Sequence, residues 1–349
     1  MNSQSNISQL DLRIDLRNRV LNITNHDFQT LALAIFRYQA EHNALYKQFL
    51  NYLKIKPDTI SNLLEIPFLP IQLFKTQQVV TGKPDNTPIV FESSGTTDTI
   101  PSRHLLYDEE LYQKVAIAIF EKQYGALKNF QILALLPSYL ERNNSSLVYM
   151  IDYFIRQTQS DYSNFYLNNT DELIAALKIA KENGQKTLLI GVTFALLDFA
   201  EANDMSFLKD FPGLIIMDTG GMKGRRQELL RAEVHELLTQ RLFVEKVHSE
   251  YGMTELLSQC YSMGEGIFQM SQTMKILLRD IYDPFSKYDK PNPFIKTGGI
   301  NVIDLANLDS ISFIETQDLG RFGSVPNTFE ILGRFDNSDI RGCNLMVMN

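Results

Sequence analysis

The sequence predicts an α/β fold in which parallel sheets are covered by helices and a smaller β-rich subdomain follows. Three observations carry this expectation. Between residues 131 and 247 short apolar runs alternate with longer stretches of helical spacing, the pattern of a parallel sheet with helices on its faces. From about residue 268 the pattern becomes strand-like and stays so. The 349 residues are 44% hydrophobic with 22 Phe and 15 Tyr, which suffices for one to three domains and a large core.

Taken in order, residues 26–53 set Phe28, Leu31, Ile35, Tyr38, Leu45, Phe49 and Leu53 mostly three or four apart. That is an amphipathic helical stripe, and it closes a helical lead-in over 1–55. Residues 57–102 are cut into short apolar pieces by Pro57, Pro67, Pro70, Gly82, Pro84 and Pro88, which spells strands and loops and opens an α/β core over 56–265. Within that core strands are expected at 131–137, 187–192, 214–221 and 241–247. Helices are expected at 108–123, 145–158, 171–183, 195–203 and 225–239. The segments KILLRDIYD, INVIDLAN and ISFIET, parted by the proline-containing stretch 284–293, make the β-rich subdomain over 266–349.

Charge and composition exclude several function classes. The 33 basic and 41 acidic side chains leave a net charge of -8, and no Lys/Arg run offers a face to nucleic acid. The start, MNSQSNISQLDLRID, lacks the basic lead and apolar core of a signal peptide. The apolar stretch 188–199 is broken by Thr193 and Asp198 and is shorter than the roughly 18 residues of a membrane span. A cytoplasmic protein is expected. Two cysteines, Cys260 and Cys343, form no disulfide framework or paired-thiol zinc spacing, and the five His make no HExxH pattern.

Three local patterns carry chemistry. Directly after Val90-Phe91 comes Glu92-Ser93-Ser94-Gly95-Thr96-Thr97, a turn of small residues whose backbone N–H groups and hydroxyls suit phosphate oxygens. The same composition also marks ordinary surface turns. Tyr251-Gly252-Met253-Thr254-Glu255 places a hydroxyl and a carboxylate where they can meet a phosphate and Mg²⁺, or equally cap a helix and fill its acidic first turn. Thr316-Gln317-Asp318-Leu319-Gly320 supplies a carboxylate able to accept from both hydroxyls of a ribose, or a turn with a solvated charge. Gly333-Arg334-Phe335-Asp336 and Arg341-Gly342-Cys343 follow.

In this order the pieces resemble the adenylate-forming superfamily of acyl-CoA synthetases and adenylation domains. Within it the sequence looks most like the acyl-protein synthetases of bacterial luciferase operons, the LuxE type. The resemblance runs through IPFLPIQLFK at 66–75, ESSGTT with Ser102-Arg103-His104, TGGMKG at 219–224, HSEYGMTEL at 248–256 and the terminal GRFDNSDIRGC, and spans about residues 60–349. It implies the large N-terminal domain of an adenylate-forming enzyme, with the mobile C-terminal domain missing or truncated. By resemblance Ser93, Ser94, Gly95, Thr96 and Thr97 would hold the β/γ-phosphates of ATP. Gly220 and Gly221 would lie along the adenine, Tyr251 would stack near it, and Asp318, with Arg334 in the hinge motif, would complete the nucleotide site at the ribose. Thr254 and Glu255 would serve the α-phosphate and Mg²⁺.

Two departures from the pattern bear on the chemistry. Asp98 stands where the superfamily loop continues with Gly, adding a negative charge beside phosphates, and Arg103 is the nearby cation that could compensate. Gln317 replaces the central Gly of Thr-Gly-Asp. The 13 residues after Asp336 are too few for the mobile domain that carries a lysine and admits CoA. By resemblance Cys343 is instead the thiol that accepts the acyl group, with Arg341 helping to lower its ordinary pKa of about 8.5. Cys260 is expected in the core, inside a helix after Glu255, while His104 and His248 border the motifs as phosphate donors or structural groups. The resemblance implies ATP, Mg²⁺, a fatty or other carboxylic acid bound near 191–199, and a reductase or acyltransferase partner. A CoA ligase and a non-catalytic nucleotide-binding scaffold are the alternatives.

Overall fold

The computed structural model describes residues 8–24, 26–93, 100–137, 144–220, 229–292 and 296–335. The lead-in folds as α1 (Gln9–Leu21), α2 (Phe28–His42) and α3 (Ala44–Tyr52). The expected stripe over 26–53 is thus two helices, because Asn43 turns its side chain inward. Its amide donates to the Ser310 carbonyl at 2.9 Å while its oxygen caps α3 by accepting from the Tyr46 N–H at 3.0 Å. The short strand β1 (Leu69–Pro70) and the single turn α4 (Leu73–Thr76) follow, then a hairpin of β2 (Ile89–Glu92) and β3 (Arg103–Leu106).

The α/β half alternates as the sequence predicts: α5 (Glu109–Tyr124), β4 (Gln131–Leu135), α6 (Ser146–Gln157), β5 (Asn164–Phe165), α7 (Thr170–Glu182), β6 (Thr187–Val192), α8 (Thr193–Ala202), β7 (Leu214–Thr219), α9 (Arg231–Leu242) and β8 (His248–Tyr251). Strands β5, β4, β6, β7 and β8 lie side by side in parallel. Every residue of β6 is buried, as a strand covered on both faces must be. Gly191 lets α8 press close, since a Cβ there would sit 3.0 Å from the Leu196 Cγ.

The strand-rich half comprises β9 (Cys260–Ser262), β10 (Ile267–Gln269), β11 (Met274–Arg279), β12 (Lys287–Tyr288), β13 (Gly298–Asp304), β14 (Phe313–Phe322) and β15 (Thr328–Arg334). These strands are antiparallel to their neighbours, and β9 joins β8 so that both halves share one hydrogen-bonded sheet. The first strand, β1, adds to β14 in parallel. Arg13 of α1 ties the lead-in to both halves, donating to Asp309 at 2.6 Å and to Asp108, the N-cap of α5, at 2.9 Å. No helix among the described residues is long and apolar enough to cross a membrane.

Two expectations are corrected here. Residues 241–247 form no strand: α9 runs to Leu242, Phe243 takes a left-handed φ of 54° that ends the helix, and the strand begins at His248. No described helix follows Glu255; Cys260 lies on β9.

Candidate active site

The site forms where the C-terminal ends of β7 and β8 meet the β2–β3 hairpin and the middle of β14. Parallel strands deliver successive side chains to one rim, the place where open α/β sheets bind ligands. Thr219 and Glu250 are register partners across β7 and β8, and the Thr219 hydroxyl donates to the Glu250 carboxylate at 2.6 Å. Burial pushes the Glu250 carboxyl up to about 7, and Asp218 beside it acts in the same direction. Gly220 follows Thr219 with φ 75°, a left-handed conformation that suits glycine and turns the chain at the rim.

Tyr251 is buried against Phe268 and Phe329, and its hydroxyl donates to Asp318 Oδ2 at 3.0 Å. Asp318 on β14 faces Arg334 on β15, whose Nε stands 3.4 Å from Oδ1. Burial raises the Asp318 pKa, while Arg334 and Tyr251 oppose that shift. The tyrosine-led segment and the late aspartate are therefore in direct contact.

Glu255 lies in the turn after β8, only 6% exposed. Burial raises its pKa, opposed by a hydrogen bond from Ser102 and by the charges of Arg334 and Lys75. Ser102 also pairs with Ser93 beyond the β2–β3 ladder: its N–H donates to the Ser93 hydroxyl at 2.9 Å and its carbonyl accepts from the Ser93 N–H at 3.0 Å. Beneath them His104 Nδ1 is 2.9 Å from the Thr254 carbonyl and Nε2 is 3.0 Å from the Ser310 hydroxyl. A carbonyl only accepts, so Nδ1 carries the proton and Nε2 accepts from Ser310. Burial pushes this imidazole down to about 4, in keeping with a neutral ring that positions Thr254 and has no nitrogen free for a phosphate.

The structure therefore brings Ser93, Thr254, Glu255, Gly220, Tyr251, Asp318 and Arg334 to one rim. Ser94, Gly95, Thr96, Thr97, Gly221 and Cys343 lie outside the described residues, as do Asp98 and Arg341. Arg103 Nε is 3.3 Å from Glu92 Oε1, an acid across the hairpin. His248 bonds Tyr124 at 3.1 Å and is pushed down to about 4 by burial, a core group. Cys260 is also core, 3.4 Å from the Met274 sulfur and pushed up to about 12 by burial. The apolar stretch 191–199 is packed, with Leu196, Leu197 and Phe199 buried. Sequence reasoning passed over Ser102, Lys75 and Glu250, although each stands in or beside a motif already singled out.

Among the described residues no three His, Cys, Asp or Glu are grouped to hold a metal. A single buried carboxylate with a hydroxyl beside it still fits Mg²⁺, which usually takes one or two protein carboxylates and the substrate's own phosphates. A cavity of about 400 Å³ lies elsewhere, between the end of α5 and β9–β11, lined in part by Lys122, Tyr261 and Lys275.

Comparison with known proteins now adds the family. A model of the acyl-protein synthetase family LuxE matches residues 5–349. The chain belongs to the LuxE family of acyl-protein synthetases. It is 24% identical over 333 residues to the long-chain-fatty-acid–luciferin-component ligase of Vibrio harveyi, covering 90% of this chain and 85% of that protein. Among solved structures the acyl acid amido synthetase AtGH3.15, in complex with 2,4-DB, superposes with a TM-score of 0.54 at 11% identity, covering 96% of this chain and 72% of that one. An acyl-CoA synthetase of Brucella canis matches with a TM-score of 0.46 at 16% identity, over 74% of this chain and 47% of that one. The chain spans less than half the length of several solved structures it matches. The fold is shared with the acyl acid amido synthetase AtGH3.15, and the LuxE family is the one that the motif order led the sequence to predict.

Proposed function

We propose that this LuxE-family protein activates a fatty acid with ATP and passes the acyl group to a protein thiol. The acid's carboxylate attacks the α-phosphorus, pyrophosphate leaves, and acyl-AMP remains; a thiolate then attacks the acyl carbon, the thioester forms and AMP leaves. The observation that carries this reading is His104, which stands two residues after the Ser93–Ser102 pair of the hairpin and holds the Thr254 carbonyl beside Glu255, on the strand-turn segment whose Tyr251 bonds Asp318 next to Arg334.

In this reading Ser93 to Thr97 hold the β/γ-phosphates, Thr254 meets the α-phosphate, and Asp318 accepts from the ribose hydroxyls. Gly220, Gly221 and Tyr251 border the adenine. Mg²⁺ held by Glu255 would supply positive charge to the phosphate oxygens during attack. Burial of Glu255, Asp318 and Glu250 marks a site from which water is held back, which an acyl adenylate needs to survive. Cys343 is the acyl acceptor, and a reductase or acyltransferase the partner that receives the group in the cytosol.

The test is covalent labelling with radiolabelled fatty acid and Mg·ATP. Wild type acquires label that hydroxylamine releases, and Cys343→Ser keeps pyrophosphate exchange but loses the label. A mutant labelled as strongly as wild type removes Cys343 from the reaction, and CoA consumption by wild type would make the protein a CoA ligase instead.

A further inference from the structure

The cavity between the end of α5 and β9–β11 holds about 400 Å³, a volume in the range of small-molecule sites. None of the rim residues lines it, so the function proposed above leaves it unused. Its described lining includes two lysines, Lys122 and Lys275, and no Asp or Glu. Gln123 and Gln272 add amides that both donate and accept.

Two groups of this lining lack what burial demands. Lys275 on β11 is half-buried, with its Nζ 4.5 Å from the centroid of the Phe28 ring, and it forms no ion pair with an acid among the described residues. Burial lowers its pKa, opposed by the charge of Asp289. An ammonium drawn out of water is less costly with an anion beside it. Tyr261 on β9 is 3% exposed, its ring packed edge to face on Tyr124 and Phe120 at 5.4 and 6.0 Å. Its hydroxyl has no hydrogen-bond partner among the described residues. A buried hydroxyl left unpaired costs stability that an acceptor on a ligand would recover. Lys122, in the last turn of α5, is exposed and brings a second positive charge to the same cavity.

We propose that this cavity binds a phosphate ester with a hydroxylated body, Lys275 and Lys122 answering the phosphate charge and Tyr261 donating its hydroxyl to a phosphoryl oxygen. Lysine suits phosphate as a compact charge with three donors, and the amides suit hydroxyls.

The experiment is calorimetry of the full chain with glucose 6-phosphate, inorganic phosphate, glucose and gluconate as probes, on wild type, Lys275→Met, Tyr261→Phe and the rim variant Glu255→Gln. Glucose 6-phosphate binds wild type and Glu255→Gln alike, inorganic phosphate binds more weakly, and glucose and gluconate do not bind. Affinity falls about ten- to hundredfold in Lys275→Met and about tenfold in Tyr261→Phe, each the loss of one hydrogen bond to a charged group. The ligand-free Tyr261→Phe protein melts at or above the wild-type temperature, because no hydrogen bond is lost with the hydroxyl. A cavity that takes none of the four probes holds water alone, and that result would overturn the proposal. So would phosphate-ester affinity unchanged in Tyr261→Phe and Lys275→Met, gluconate bound as tightly as glucose 6-phosphate, or binding lost in Glu255→Gln.

Discussion

Glu250→Gln tests the electrostatics of the rim most sharply. In the folded chain burial first, and Asp218 second, raise the carboxyl from 4.5 to about 7, against one hydrogen bond from Thr219 that favours ionisation. A carboxyl whose folded pKa lies above its unfolded value adds stability that is complete below 4.5 and lost as pH rises through 7. That rise corresponds to about 3 kcal/mol in total, of which about 2.5 kcal/mol falls between pH 5 and pH 8. Gln keeps the shape and accepts the same Thr219 hydrogen bond without titrating. Urea unfolding of both proteins at pH 5, 6, 7 and 8 reads the effect. The variant should gain about 2.5 kcal/mol on wild type across that range, ending as the more stable protein at pH 8. Parallel stability curves would refute the reasoning, because they would mean that Glu250 titrates alike in the folded and unfolded chains.

Other outcomes follow from the same geometry. Tyr251→Phe removes the donor to Asp318 and should cost about 1–3 kcal/mol in urea unfolding, since a buried carboxylate loses a partner. Glu255→Gln should lower pyrophosphate exchange by about 10²- to 10³-fold with little change in melting temperature, in line with loss of a group that acts in the transition state. His104→Leu leaves the Thr254 carbonyl and the Ser310 hydroxyl without their buried partner and should cost about 1–3 kcal/mol, read by thermal unfolding. Arg103→Ala should change exchange by less than about threefold, because Glu92 already answers that charge at the exposed rim.

How far the sequence reaches depends on where each residue's decisive partner lies. TLLIGV became β6 at its expected ends because a run of apolar residues buried on both faces needs no outside information. RLFVEKV has a strand's composition, but Leu242 completes a buried helical stripe with Val234 and Leu238, and only the backbone turn at Phe243 separates helix from strand. Leu256, Leu257 and Cys260 have helical spacing, yet Asp304, 47 residues from Leu257 along the chain, takes the Leu257 and Ser258 N–H groups at 2.7 and 2.9 Å. A long-range carboxylate thus overrides the local pattern. The site divides in the same way. The order of the motifs showed which segments meet, since each motif is local, and Tyr251, Glu255 and Asp318 do converge. The pairing of Arg103 with Glu92 across a hairpin, the closing of that hairpin by Ser102 on Ser93 and the bond of His104 to the Thr254 carbonyl are tertiary facts that no single segment carries.

The most direct measurement is a crystal structure with a non-hydrolysable acyl-sulfamoyl adenosine. The account predicts ribose hydroxyls on Asp318, adenine beside Gly220 and Tyr251, and the sulfamate at Thr254 and Glu255. Density for the nucleotide in the cavity of Lys122, Tyr261 and Lys275, with the β7–β8 rim empty, would contradict it.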